Sequence, residues 1–149
     1  MCFSLDVFRT TKPLGSFAAI LSTYAVSSLL HGLNFQLAAV LLSLGAYTYV
    51  EYVLRQKLAT VFGACIQVRP CRRDCYHRNK EKRLTVVLGN VGLGLVAMFH
   101  LSYLGVLFDM SSKLQEEGYN SAHTLAKWSV LSYASHWVAL GTYIFYLLV

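Results

Sequence analysis

The sequence predicts an all-α fold, a polytopic transmembrane helical bundle of about four spans plus an interfacial helix. Three observations predict it. Hydrophobic residues make up 56% of the 149 and charged residues only 13%, about half the ~25% charge of an ordinary soluble domain. Three long stretches carry no formal charge. What charge there is gathers in one loop, where residues 67–83 (QVRPCRRDCYHRNKEKR) set Arg69, Arg72, Arg73, Arg78, Lys80, Lys82 and Arg83 against Asp74 and Glu81. The apolar content excludes a disordered chain, and 2 Pro with 10 Gly exclude collagen-like and Pro-rich classes.

Residues 1–13 (MCFSLDVFRTTKP) form a short mixed segment without the charged head and apolar run of a signal peptide. The first charge-free stretch, 38 residues between Lys12 and Glu51, is about twice what one crossing needs, since a spanning helix takes roughly 20 residues. Two crossings, near 14–31 and 33–50, account for it. One crossing plus a re-entrant segment is the competing arrangement. Residues 51–66 place Leu54, Leu58, Val61, Phe62 and Cys65 on one helical face and Arg55 and Lys57 elsewhere, the pattern of a helix lying in the membrane interface. Residues 84–108 and 128–149 are charge-free runs of 25 and 22, one span each. Positive residues of short loops stay in the cytosol, which puts 67–83 there, 109–127 on the far side, and the C-terminus back in the cytosol.

A polar side chain at bilayer depth must face protein or a wet cavity. Thr23, Ser27, His31 and Asn34 fall at i, i+4, i+8 and i+11, one polar stripe on an otherwise apolar helix if it continues through Gly32. His136 has Ser129, Ser132 and Tyr143 at −7, −4 and +7. His100, in MFHLSY, has only loosely aligned polar neighbours. Pattern alone ranks His31 first, His136 second and His100 last. A neutral imidazole in a polar groove is suited to take a proton from a hydroxyl. His31 is therefore the candidate catalytic residue, with Ser27, Asn34 and His136 as candidate substrate-binding residues. No Asp stands four residues after His31 and no G-x-S-x-G elbow is present, so the claim does not rest on those motifs.

Cys65, Cys71, Cys75 and His77 read C-x5-C-x3-C-x-H. The spacing is not one of the usual C-x2-C zinc forms, and no metal is assigned from it; free thiols, thiols acylated near the membrane and metal ligands all stay open. The Lys/Arg run imitates a nucleic-acid patch, but flanking spans direct it to anionic headgroups instead, and no nucleic-acid partner is expected. GNVGLG at 89–94 sits inside an apolar run with no preceding strand and the wrong glycine order for a dinucleotide loop. Gly89, Gly92 and Gly94 there suit close helix packing.

The strings TYAVSSLLHGLNFQLAAVLLSLGAYTYVEYVLRQKLA, FHLSYLGVLFD and KWSVLSYASHWV resemble the C-terminal part of a member of the membrane-bound O-acyltransferase (MBOAT) family. The likeness runs from about Phe8 to the end. It implies a many-helix bundle with a tunnel, in the endoplasmic reticulum membrane. It further implies transfer of palmitoleoyl from its CoA thioester to a serine hydroxyl of Wnt proteins, with acyl-CoA as co-substrate and no cofactor. LLHG around His31 looks like the family's active-site histidine segment. Family members are far longer, and the polar Asn or Asp that they carry upstream of the histidine has no counterpart here; Asn34 follows His31. The expectation is an incomplete portion of such an enzyme, without transferase activity alone. The alternatives are an MBOAT protein with a different acceptor and a small non-enzymatic membrane protein associating through its polar helix faces.

Overall fold

The computed structural model describes residues 2–30, 35–69, 71, 74–106 and 121–149. Its elements are α1 (Cys2–Thr11), a 3-10 turn (Lys12–Leu14), α2 (Ser16–Leu30), α3 (Phe35–Phe62), α4 (Leu84–Gly105), α5 (Ser121–Val130) and α6 (Ala134–Leu148). Among the described residues there is no strand, only an isolated bridge between Ala64 and Asn79. The all-α fold class stands. Two helices, α3 and α4, are long and apolar enough to cross a bilayer. At about 1.5 Å per residue they reach roughly 42 and 33 Å, whereas the 15 residues each of α2 and α6 give roughly 22 Å.

Pro13 opens the 3-10 turn, and Gly15, at φ 106°, turns the chain into α2; only glycine takes that φ freely. α2 then packs antiparallel on α3. Phe17 meets Tyr49 edge-on at 4.9 Å, and Tyr24 lies over Gly45, where an added Cβ would come within 2.9 Å of the ring. The two helices need Gly45 to approach this closely. The stretch 14–50 thus holds two packed helices, joined at 31–34, which lie outside the described residues.

Two expectations are corrected. The separate interfacial helix at 51–66 is absent: α3 runs unbroken to Phe62. No Gly or Pro interrupts 46–62, and Glu51 and Arg55 form an i,i+4 ion pair at 2.7 Å, which supports one continuous helix. Arg55, expected to point away from the apolar face, is buried. The single span at 128–149 is instead broken between α5 and α6. The turn carries Ser132 and Tyr133 at φ 52° and 51°, and Ser132 N–H and Tyr133 N–H donate to Ser129 O and Trp128 O. These bonds close the end of α5, which a stretch with no Gly or Pro between 128 and 140 does not announce.

α3 is the central element, touching α2, α4, α5 and α6. Arg55 opposite Asn90 and Tyr47 opposite His100 make α4 antiparallel to it. Tyr47 near His136 and Lys57 near Tyr146 make α6 parallel to it. The basic loop and the C-terminus consequently lie at the same end of the bundle. The core has two parts. Val40, Tyr47, Tyr103, Leu104, Trp128 and Ala139 join the helices, and Ala64, Cys65, Ile66 and Val86 anchor the loop. Gly89 meets only Ile66 at ordinary contact, and an added Cβ at Gly92 or Gly94 meets nothing within 4 Å. The glycines of α4 therefore do not mediate helix packing among the described residues, and α4 exposes Leu88, Val91, Leu95 and Met98. An apolar face left open in this way is what lipid or further apolar helices cover.

Candidate functional site

His31 and Asn34, the candidate base and one candidate binding residue, lie outside the described residues. Ser27 is half-buried on α2, which among the described residues touches α1, the 3-10 turn and α3 and not α4 or α6. Thr23 of the same stripe returns its hydroxyl to Ala19 O at 2.7 Å. The remaining candidate, His136, lies among aromatic side chains of the core.

That interior cluster joins α3, α4, α5 and α6. His100 is buried on α4, and its Nδ1 hydrogen-bonds the wholly buried Ser135 Oγ of α6 at 2.5 Å. Tyr47 of α3 stacks on the His100 ring at 4.3 Å. His136, the next residue along α6, is ringed edge-on by Trp128 at 4.7 Å, Tyr47 at 5.8 Å, and Tyr103 and Tyr133 at 5.9 Å. The α5–α6 turn makes this possible. The helix breaks at 131–133, and Trp128 meets a histidine only eight positions on. The stripe expected for His136 with Ser129 and Ser132 is lost at the same turn, because the two sides of the break do not share one helical register.

Four buried polar atoms here have no hydrogen-bond partner among the described residues: Tyr47 Oη, Tyr103 Oη, Trp128 Nε1 and His136 Nδ1. The Tyr47 hydroxyl lies beside the Ser135 hydroxyl. A buried polar atom left unpaired costs about 1–3 kcal/mol, so His136 Nδ1 and the three atoms near it form a group that a polar partner would stabilise. An indole N–H donates, a phenol does both, and an imidazole nitrogen accepts or donates by tautomer. Together they suit a hydroxyl or a carbonyl oxygen. Beside the cluster, between α3, α4 and α6, runs a cavity of about 160 Å³. Leu44, Leu93, Val96, Ala97 and Leu101 wall it, and Tyr47, His100 and Glu51 supply its polar contacts.

At the loop end a second set of charges is pinned. Arg55 donates to Glu51 at 2.7 Å, Ile66 O at 3.0 Å and Asn90 Oδ1 at 2.9 Å, while Asn90 Nδ2 donates to Cys65 O at 3.3 Å. One guanidinium thereby ties α3 to the loop and to α4. Glu51 faces both the apolar cavity and a polar one of about 410 Å³ that also meets Arg69 and Glu81.

Sequence reasoning missed Tyr47, Tyr103, Trp128 and Ser135, and ranked His100 last. Each meets its partners on other helices, where periodicity along one helix gives no signal. The KWSVLSYASHWV string does contain Trp128, Ser135 and His136, and its density of polar and aromatic residues was the available hint.

No family profile matches the chain. Individual proteins do. The chain is 52% identical over 145 residues to the mouse protein-serine O-palmitoleoyltransferase porcupine, 96% of this chain and 31% of that protein. It is 50% identical to the human protein of the same name, with the same coverage, and 39% identical to that of Anopheles gambiae, over 96% of this chain and 29% of that protein. By sequence, the chain is similar to these porcupine proteins. It spans about a third of the length of these porcupine relatives. The aligned part takes in nearly all of the chain, including the basic loop and the polar cluster.

Proposed function

We propose that this chain is part of a membrane-bound acyltransferase that moves a palmitoleoyl group from CoA to a serine hydroxyl of Wnt proteins, within the endoplasmic reticulum membrane. The observation that carries the proposal is the 52% identity to a protein named for that transfer, sustained over 96% of the chain. In this reading His31 is the general base. It accepts the serine proton as the oxygen attacks the thioester carbonyl; a C–O bond forms, the C–S bond breaks, and the imidazolium returns the proton to the departing thiolate. His136, with its unpaired Nδ1 and the neighbouring indole N–H, offers hydrogen bonds to a hydroxyl or carbonyl. Ser27 and Asn34 would hold substrate from the α2–α3 side. The apolar cavity beside His100 has the chemistry of an acyl-chain wall.

The test is His31→Ala in the longer protein that contains this segment, assayed for palmitoleoyl transfer from its CoA thioester to a Wnt serine peptide. A positioned general base contributes ~10²–10⁴-fold, so turnover should drop at least 100-fold while acyl-CoA binding persists. Unchanged turnover, or loss of folded protein together with binding, would assign His31 to packing. The 149-residue chain alone should acylate no Wnt peptide, and acylation by it would overturn the reading of an incomplete enzyme.

A further inference from the structure

We propose that Cys65, Cys71, Cys75 and His77 form a Cys3His zinc site that staples the basic loop between α3 and α4. Spacing alone did not support a metal, but the fold does. The four ligand atoms all lie within 4.8 Å of one another. Cys65 Sγ is 3.5 Å from Cys75 Sγ and 3.8 Å from His77 Nδ1, and Cys71 Sγ is 3.5 Å from His77 Nδ1. With Zn–S about 2.3 Å and Zn–N about 2.0 Å, the edges of a tetrahedral site run roughly 3.5–3.8 Å. These three separations fall in that range, while Cys65 Sγ and Cys71 Sγ lie closer together than such an edge.

The backbone holds the set from both sides. Cys65 N–H donates to Asn79 O at 3.0 Å and Asn79 N–H to Gly63 O at 2.9 Å. Asn79 Nδ2 caps the end of α3 at Phe62 O, 2.9 Å away. These bonds pair the segment carrying Cys65 with the one that follows His77. Gly63, at φ 52°, turns the chain out of α3 toward it. Cys65 itself is buried in the loop core with Ile66 and Val86, and Cys71 and Cys75 pack on that core. Three thiolates on a divalent ion leave one net negative charge. Lys80 Nζ stands 3.3 Å from Cys75 Sγ and offsets it, as outer-shell groups of metal sites do.

Cys65 and Cys71 are also close enough to be joined as a disulfide, with Cys75 a free thiol. A disulfide would use two of the four groups and leave Cys75 and His77 without a role in the cluster. The positive-inside rule places this loop in the cytosol, where thiols are kept reduced and Cys/His clusters serve metals instead.

The chain, purified in detergent under reducing conditions with zinc present and then freed of loose metal, should retain about one zinc per molecule by elemental analysis, as a closed four-ligand site requires. Cys75→Ser and His77→Ala should each bring zinc to background, and Cys2→Ser should not. Replacement of zinc by cobalt should give the intense visible absorption of a tetrahedral thiolate site, a readout on the unmutated chain that does not depend on any variant folding. Background zinc in the unmutated chain would overturn the proposal. So would zinc retained in both Cys75→Ser and His77→Ala, or a Cys65–Cys71 disulfide in protein alkylated at the moment of lysis.

Discussion

Arg55 permits a graded test of what holds the loop end of the bundle together. Its guanidinium is buried and makes three bonds, to Glu51, Ile66 O and Asn90 Oδ1. Arg55→Ala removes all three donors and leaves a carboxylate, a carbonyl and an amide to find other partners. Hydrogen bonds to a charged group are worth about 1.5–3 kcal/mol each. The Glu51 side chain is 32% exposed, so water recovers part of its loss. The two bonds to Ile66 and Asn90 therefore dominate, and the total comes to about 3–5 kcal/mol, the range for breaking one side of a buried charge network. Glu51→Gln keeps both of those bonds and loses only the ion pair, for about 1 kcal/mol. Arg55→Lys keeps the charge but cannot present a planar fork to several acceptors at once, and should fall between the two. The assay is retention of monodisperse protein in detergent after graded heating, combined with protease cleavage within 67–83. The expected order of loss is Arg55→Ala, then Arg55→Lys, then Glu51→Gln, with faster cleavage in the first. Equal stability for Arg55→Ala and Glu51→Gln would show that the bonds to Ile66 and Asn90 contribute nothing, and would refute the reasoning.

Two further perturbations probe the helix contacts. Gly45→Ala puts a Cβ within 2.9 Å of the Tyr24 ring and should destabilise by about 1–3 kcal/mol through overpacking; adding Gly45→Ala to Tyr24→Ala should cost little more than Tyr24→Ala alone, which a double-mutant cycle by heating in detergent reads directly. Ser135→Ala strands the buried His100 Nδ1 and should cost about 1–3 kcal/mol, whereas Ser135→Ala with His100→Phe, which removes both polar partners, should lie closer to the unmutated chain in the same assay.

Much of the helical layout was legible because it depends on composition over tens of residues. Long uncharged runs read as apolar helix wherever they pack, and α2 and α4 lie within the runs 13–50 and 84–108. The extent of α3 was misread for a local reason. Arg55 and Lys57 look alike in sequence, yet Arg55 turns inward to Glu51 and Asn90 while Lys57 reaches Tyr146. Only the partner on α4, 35 residues away, decides which face is buried. The break before α6 was invisible for a similar reason, since Ser132 and Tyr133 take a left-handed backbone that glycine usually marks. The site was the least legible part. His100 and Ser135 are bonded across 35 residues, and a stripe search finds only partners that share a helix.

The strained turn and the unpaired polar atoms are linked. Two consecutive non-glycine residues with positive φ cost about 1–3 kcal/mol each, and such a cost persists where surrounding contacts hold the backbone in place. Here the turn is closed by Tyr133 N–H to Trp128 O and Ser132 N–H to Ser129 O. What it accomplishes is to set Trp128 Nε1 and His136 Nδ1 in one recess, both buried and neither paired among the described residues. A continuous helix through 131–133 would advance about 100° and 1.5 Å per residue and put positions 128 and 136 about 80° apart around the helix and about 12 Å apart along it, rather than rings in edge-on contact at 4.7 Å. Strain in the backbone and unmet hydrogen-bonding capacity thus fall at the same place, and both are unfavourable in a chain selected for stability alone. Their coincidence at the inner end of α6 is the structural reason to look for bound substrate there, beside the cavity walled by α3 and α4.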